Sequence, residues 1–266
     1  MNLKILSVVI LALGSACPLL AHDTWVQTNT AVIRPGDAIY IDFLLGNHGN
    51  DHRDFKIAGK ATLESSNLSV VGPDGTSIDL KPLLQDRGYA PKEGYWSAVF
   101  QPAKTGLYIV AQTGDSVVSY APERVIRSAK AFFFVSSSLD PVPADAAGYK
   151  KILGHELELV PETSPIAPVG PGQPIKVRVL FHGKPLANEK ISFVPRGQTL
   201  KPGFDVTYER KTDENGLASF EPKEPNYYLM VVHHVDANAK GDNYKTTLYS
   251  ATLTLIVPGI CPCCGE

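Results

Sequence analysis

Short runs of β-branched and aromatic residues recur along the chain, and each is bounded by glycine, proline or another turn-forming residue. In the first half they lie at 38–45, 95–100, 106–112 and 131–135. Runs of this length and composition predict β-strands. Because apolar residues do not recur with the period of a helix, the first half is predicted to be all-β.

The second half shows the same pattern. Its predicted strands lie at 174–181, 190–194, 217–220, 227–234 and 249–257. The Asn-Gly pair within 212–216 predicts a hairpin turn between two of them. Several short antiparallel strands at this spacing are typical of a β-sandwich.

Between the two halves the composition changes to Ser, Pro, Ala and Asp, which indicates a connection. We therefore predict two tandem antiparallel Ig-like β-sandwiches, at 22–136 and 172–258, joined by a linker at 137–171. Within this linker, the apolar run 157–160 is a candidate first strand of the second domain.

The first 21 residues have the three parts of a secretory signal peptide: a positive charge at Lys4, an apolar run at 5–13 and small residues after it. We predict cleavage after Ala21, so that 1–21 is removed and His22 becomes the first mature residue. Cleavage after Ala16 and lipoprotein processing at Cys17 are the alternatives. Since no later apolar run is long enough to cross a bilayer, the sequence predicts a periplasmic or secreted protein without a transmembrane segment in the mature chain.

Charge and motifs narrow the range of functions. The 266 residues carry a formal net charge of −2 and no basic cluster, so the sequence lacks the cationic surface that nucleic-acid binding requires. The nucleophile elbow, the His-Glu-x-x-His motif, the P-loop and the dinucleotide fingerprint do not occur. The sequence therefore predicts no nucleic-acid partner and a protein that is not an enzyme, although its abundant carboxylates neither indicate nor exclude a hydrolase.

His22 is the first candidate for metal chemistry. After cleavage at Ala21 it offers a free α-amine and an imidazole Nδ1, which can chelate one ion together. The amine has an ordinary pKa of about 7.7–8.0, so a metal ion displaces its proton near neutral pH at modest cost. A second histidine would complete a histidine brace, a ligand set suited to Cu and also to Ni. The competing interpretation is an ordinary frayed terminus.

Four further histidines are candidate ligands. His48 and His52 follow a predicted strand in a loop rich in Gly, Asn and Asp, where function concentrates on a sandwich, although a solvated polar loop has the same composition. His233 and His234 end the predicted strand 227–234. Because side chains alternate across a strand, only one of these two is expected to face any given site.

Three of the four cysteines lie at the C-terminus, in the tail 259–266. Cys17 is removed with the predicted signal peptide, and Cys261, Cys263 and Cys264 cannot all pair within one chain. A disulfide is the first expectation in an oxidising compartment, and capture of a soft metal is the alternative.

Several motifs, taken in order, resemble the NikM-like domain family of exported bacterial proteins, a domain of unknown function linked to nickel or cobalt uptake. They lie at 21–25 (AHDTW), 34–37, 46–48, 154–161, 183–187 and 212–216. The segment from Gly183 to Phe220 also resembles a bacterial Ig-like or carboxypeptidase-regulatory-like module.

The resemblance implies a periplasmic protein of two sandwiches with His22 and His48 near a transition-metal site. Transporter components of that family add a membrane anchor, which the mature chain lacks, and the Cys-rich tail is not part of the family pattern. A soluble carrier or accessory protein fits these departures better than a permease component.

The leading hypothesis is a metal carrier for Ni, Co or Cu, with the metal ion and a membrane metal transporter as partners. In it His22 supplies two ligands, His48 a third, and His52, His233 or His234 a fourth. A copper enzyme resembling the lytic polysaccharide monooxygenases, with a histidine brace, is the second hypothesis. A non-catalytic adhesion or scaffold protein of Ig-like domains is the third.

Overall fold

The computed structural model describes residues 22–46, 48, 62–88, 93–118, 121–138 and 148–259. This part of the chain is all-β, as predicted, with one short 3₁₀ helix at Lys81–Leu83. The predicted signal peptide, His52 and the three C-terminal cysteines lie outside the described residues. The strands are β1 Asp23–Thr28, β2 Val32–Ile33, β3 Ile39–Gly46, β4 Ser66–Val71, β5 Ser77–Asp79, β6 Gln85–Asp86, β7 Trp96–Phe100, β8 Gly106–Val117, β9 Glu123–Val135, β10 Leu157–Pro161, β11 Ile175–Phe181, β12 Lys184–Pro185, β13 Lys190–Pro195, β14 Glu209–Lys211, β15 Leu217–Phe220, β16 Asn226–Asp236 and β17 Thr246–Val257.

A nine-stranded sheet runs through both halves of the chain. Its order is β14-β13-β16-β17-β9-β8-β4-β5, and β2 also pairs with β9. Most neighbours are antiparallel, but β17 pairs with β9 in parallel from Thr246 with Glu123 to Leu253 with Lys130. The two halves predicted from the sequence are therefore joined by backbone hydrogen bonds as well as by the connecting segment.

A smaller sheet packs on each face of the central one. The sheet β1-β3-β7-β6 encloses an apolar core with one face of β4, β8 and β9, to which Val26, Ile41 and Phe133 belong. The sheet of β10, β11, β12 and β15 encloses a second core with β13, β16 and β17. Successive side chains of a strand point to opposite faces, which is why Phe133 of β9 enters the first core and Phe132 the second.

The region predicted as a linker contains a buried strand, β10, whose five residues pair with β11. Its Glu158 forms an ion pair with Lys130 of β9, and both side chains are buried. Glu158 also accepts hydrogen bonds from the backbone N–H groups of Leu153, Gly154 and His155, at 2.7–3.1 Å. The motif 154–161 therefore has a structural role, in which one carboxylate caps the loop that leads into β10.

The turn at 212–216 forms as expected, but the strands that it joins do not make a hairpin. Gly216 donates its backbone N–H to the Asp213 carbonyl at 3.0 Å, which closes the turn. The preceding strand, β14, pairs with β13 of the central sheet, whereas β15 pairs with β11 of the covering sheet. The hairpin prediction was wrong because an Asn-Gly turn also fits a connection that crosses from one sheet of a sandwich to the other.

β1 is buried on both faces. Val26 faces the first core and is fully buried. Trp25, on the opposite face, packs with Leu44 against Leu229 and Val231 of β16. The first strand therefore lies in the corner where the first covering sheet meets the second half of the chain.

Candidate metal site at the start of the first strand

Asp23, the first residue of β1, contacts two side chains of the central sheet. Its Oδ1 lies 2.7 Å from Nε2 of His233 on β16 and accepts a 2.8 Å hydrogen bond from the Ser250 hydroxyl on β17. These two partners lie opposite each other in the register of β16 and β17, so they present one face to β1. The start of β1 is thereby tied to strands more than two hundred residues away.

Charge strengthens this contact. Burial alone raises the pKa of Asp23, but attraction to His233 and hydrogen bonds from His233 and Ser250 outweigh it, so that the pKa is below its ordinary value. Burial lowers the pKa of His233, and the carboxylate of Asp23 outweighs that effect and raises it. Both shifts favour an ion pair between the two side chains.

His48 lies in a second buried position near β1. Its side chain is 2% exposed, and its ring packs edge-on against Trp25 with the ring centroids 5.4 Å apart. Nδ1 lies 3.1 Å from the carbonyl oxygen of Val194. Since a carbonyl only accepts hydrogen bonds, Nδ1 carries the proton and Nε2 holds a lone pair.

The Nε2 atom of His48 is buried and has no hydrogen-bond partner in the part of the chain that the structure describes. Burial, together with the positive charge of Arg196, lowers the pKa of His48 to about 3. The imidazole is therefore neutral at physiological pH and presents an unused nitrogen lone pair. A neutral imidazole whose other nitrogen donates to a backbone carbonyl has the form of a histidine metal ligand.

The register of β1 and β3 brings His22 and His48 to one end of the same sheet. The last pair between the two antiparallel strands is Asp23 with Gly46. His22 immediately precedes Asp23, and His48 follows Gly46 by two residues. Both histidines have positive φ, 32° and 58°, so the chain departs from extended geometry at each of them.

The two adjacent histidines of β16 face opposite sides of the sheet, as the alternation rule predicts. His233 faces β1, on the side of Leu229 and Val231. His234 enters the other side, where Nδ1 lies 2.8 Å from Oε2 of Glu189 and the ring contacts Phe181 at a centroid distance of 4.6 Å. The structure thus brings His233 to the start of β1 and does not bring His234 there.

The site residues predicted from the sequence are therefore only partly brought together. His22 precedes Asp23, which His233 contacts, whereas His48 packs against Trp25 and bonds the Val194 carbonyl. His234 lies on the far face, and His52 is outside the described residues. Within the described ranges, no group of three or more His, Cys, Asp or Glu side chains is arranged to hold a metal ion. A site at this end would depend on the α-amine of His22 as well as on side chains.

Sequence reasoning missed Asp23 and Ser250. The available signal was the position of Asp23 next to His22, since a metal-binding histidine often donates its other ring N–H to a nearby carboxylate. Nothing in the sequence indicated Ser250, because its contact with Asp23 depends on how β17 packs against β1.

A cleft of about 260 Å³ lies between the loop before β10 and the outer halves of β8 and β9. Arg124, Ser128, His155 and Glu156 are among its lining residues. Arg124 is engaged with Asp115, and Ser128 donates its hydroxyl to the Leu157 carbonyl. Burial, together with the charge of Lys130, lowers the pKa of His155 to about 4, so this histidine is neutral at physiological pH.

Comparisons with known proteins identify a family but no function. Comparison with curated proteins found none that matches. In the described part of the chain, no helix combines the length and apolar character needed to cross a membrane.

Among solved structures, the D0-D1 domain of Intimin is 15% identical over 88% of this chain and 97% of its own, with a TM-score of 0.22. A DUF4785 family protein from Legionella pneumophila is 13% identical over 78% of this chain and 52% of its own, with a TM-score of 0.29. Salmonella alpha-2-macroglobulin is 15% identical over 90% of this chain and 15% of its own, with a TM-score of 0.26. At these TM-scores, none of the three similarities bears on function.

A family model also matches the sequence. It covers residues 19–236, which include the candidate signal junction, β1 and both histidines of β16. The chain therefore belongs to the family described as Domain of unknown function (DUF4198).

Proposed function

We propose that this protein is an exported carrier of a transition-metal ion, Ni, Co or Cu, which it binds through His22 and His48 at the start of β1. The observation that carries the proposal is the buried Nε2 of His48, which has no hydrogen-bond partner among the described residues. It belongs to a neutral ring whose Nδ1 donates a hydrogen bond to the Val194 carbonyl. A buried polar atom without a partner costs free energy unless something binds it. A metal ion bound to Nε2 of His48 would supply the missing partner.

The ligands available at this end are neutral nitrogen atoms. Cleavage after Ala21 would give His22 an α-amine in addition to its imidazole, and His48 would add Nε2. An all-nitrogen set favours Cu and Ni over the hard cations Mg and Ca, which prefer oxygen ligands. His52 remains the candidate for a further ligand.

The resemblance of the motifs to the NikM-like domain family supports the same assignment, because that family is linked to nickel or cobalt uptake. In this proposal the protein is periplasmic or secreted, performs no chemistry on its cargo and delivers the ion to a membrane transporter. The cysteines of the tail would pair or capture a soft metal separately from this site.

The proposal predicts metal binding that depends on the exact first residue. The chain should be prepared with His22 as the free N-terminus, confirmed by intact mass, and titrated with Ni, Co and Cu by calorimetry at pH 7.5. We expect one ion per chain. Adding one alanine before His22 moves the amine away from the imidazole chelate and should weaken binding by at least about tenfold.

His48→Phe should weaken binding by a similar factor or more, since it removes Nε2 and keeps an aromatic ring beside Trp25. The matched control is His182→Phe, because His182 is half exposed, bonds Glu156 and packs against Phe181, which His234 also contacts on the other face of β16. The metal affinity of this variant should equal that of the unmodified chain. Export followed by processing at Ala16 or Cys17 would refute the amine ligand. Oxidised products from a polysaccharide in the presence of Cu, reductant and peroxide would instead favour the copper-enzyme alternative.

A further inference from the structure

The hydrogen bond between Asp23 and His233 is placed where it can control the position of His22. His22 precedes Asp23 by one peptide bond, and Asp23 is the first residue of β1 that the sheet register holds. A terminal residue is poorly ordered unless something ties it down. Asp23 is tied from the second half of the chain, through His233 Nε2 at 2.7 Å and the Ser250 hydroxyl at 2.8 Å, both on Oδ1.

We propose that His233 is a positioning residue, which holds Asp23 and thereby fixes His22 for metal binding, and that it is not itself a ligand. This inference rests on the proposed function. Nε2 of the His233 ring already bonds the carboxylate of Asp23. This distinguishes His233 from His48, whose Nε2 has no partner among the described residues. It also differs from the sequence-based prediction that His233 supplies a fourth ligand.

The surroundings of the pair show that its effect is local to the first residues of β1. The next residue, Thr24, is held independently, since its carbonyl accepts a 2.9 Å hydrogen bond from Thr252 and its hydroxyl contacts Gln112 at 3.2 Å. Trp25 is fully buried against β16. Loss of the His233 contact should therefore release the start of the strand and leave the remainder in place.

The experiment uses the mature chain that begins at His22. His233→Leu removes the donor to Asp23, whereas His233→Gln keeps an N–H donor at a comparable reach but lacks an imidazole lone pair. We expect His233→Leu to lower the affinity for Cu or Ni about tenfold and to change the Cu(II) electron paramagnetic resonance spectrum. His233→Gln should restore both towards the unmodified chain.

Thr252→Val is the matched control, because it removes a hydrogen bond to β1 one residue further from His22. Its metal affinity should be unchanged even if its melting temperature falls. If His233→Gln loses as much affinity as His233→Leu, His233 is a ligand and the inference is wrong. If neither substitution changes affinity or the spectrum, it is also wrong.

Amide hydrogen exchange of the metal-free chain provides a measurement that does not depend on the proposed function. Exchange at the backbone N–H of residue 23 should accelerate in His233→Leu and return in His233→Gln, while exchange at Thr24 should stay as in the unmodified chain. Asp23→Asn, a second variant in case His233→Leu does not fold, should also accelerate exchange at residue 23. Unchanged exchange there would overturn the positioning role, whereas absence of metal binding by the unmodified chain with normal anchoring would overturn only the proposed function.

Discussion

At the scale of single residues, Lys130 and Glu158 form a buried ion pair, with side chains that are 2% and 1% exposed. Removing one member of such a pair leaves an uncompensated charge. Glu158 also accepts three backbone hydrogen bonds, so its loss would additionally leave N–H donors of the loop before β10 unpaired.

Glu158→Ala should therefore destabilise the protein by about 3–5 kcal/mol, measured by urea unfolding at pH 7. The double variant with Lys130→Met should recover part of that loss, because the unpaired charge is gone. A single variant within about 1 kcal/mol of the parent would contradict the assigned role.

The same pair predicts a dependence of stability on pH. Burial raises the pKa of Glu158, but Lys130 and the backbone hydrogen bonds outweigh it and place the pKa below its ordinary value of 4.5. A carboxyl whose pKa is depressed in the folded state contributes stability that is complete above the unfolded pKa and is lost as the pH falls through the folded pKa. The free energy of unfolding should fall below about pH 4.5, with a smaller slope in Glu158→Gln than in the parent.

At the scale of elements, the connections determine which sheet each strand joins. Gly216 closes the crossing turn from β14 to β15 with φ of 71°, and a Cβ at this position would lie 2.6 Å from the Val179 carbonyl oxygen. Gly183 has almost the same φ, 73°, but a Cβ there would meet no atom within 4 Å. Comparing alanine substitutions at these two positions therefore separates the free-energy cost of the left-handed backbone conformation from that of a steric clash.

Gly183→Ala should cost about 1–2 kcal/mol, the penalty for an L-residue in the left-handed region. Gly216→Ala should cost clearly more, since it carries the same penalty and also displaces β11 or β15. Chemical denaturation of both variants provides the comparison. Equal losses would show that the turn has room to move away from Val179.

At the scale of the whole molecule, the continuous sheet joins the two halves. β9 contributes Phe133 to one core and Phe132 to the other, and its edge pairs with β17 over eight residues. β1 adds a second connection, through Trp25 and Asp23. Neither half can be removed without exposing apolar surface and an unpaired strand edge.

The protein should therefore unfold in one cooperative transition. Tryptophan fluorescence reports on the first core through Trp96 and on the contact between β1 and β16 through Trp25, and far-ultraviolet circular dichroism reports on all strands. The two transitions should coincide. A fragment of residues 22–136 should aggregate, whereas a soluble fragment with a separate transition would show that the shared sheet is dispensable.

The sequence by itself determined the all-β class, most of the long strands and the opposite facing of His233 and His234. These follow from local physics, because side-chain alternation and turn chemistry act over a few residues. Only the tertiary structure decided that the strands flanking 212–216 belong to different sheets, that β9 and β17 pair in parallel, and that Asp23 meets His233 and Ser250. Those contacts join residues far apart in the chain, and they depend on how entire sheets pack, which no local pattern encodes.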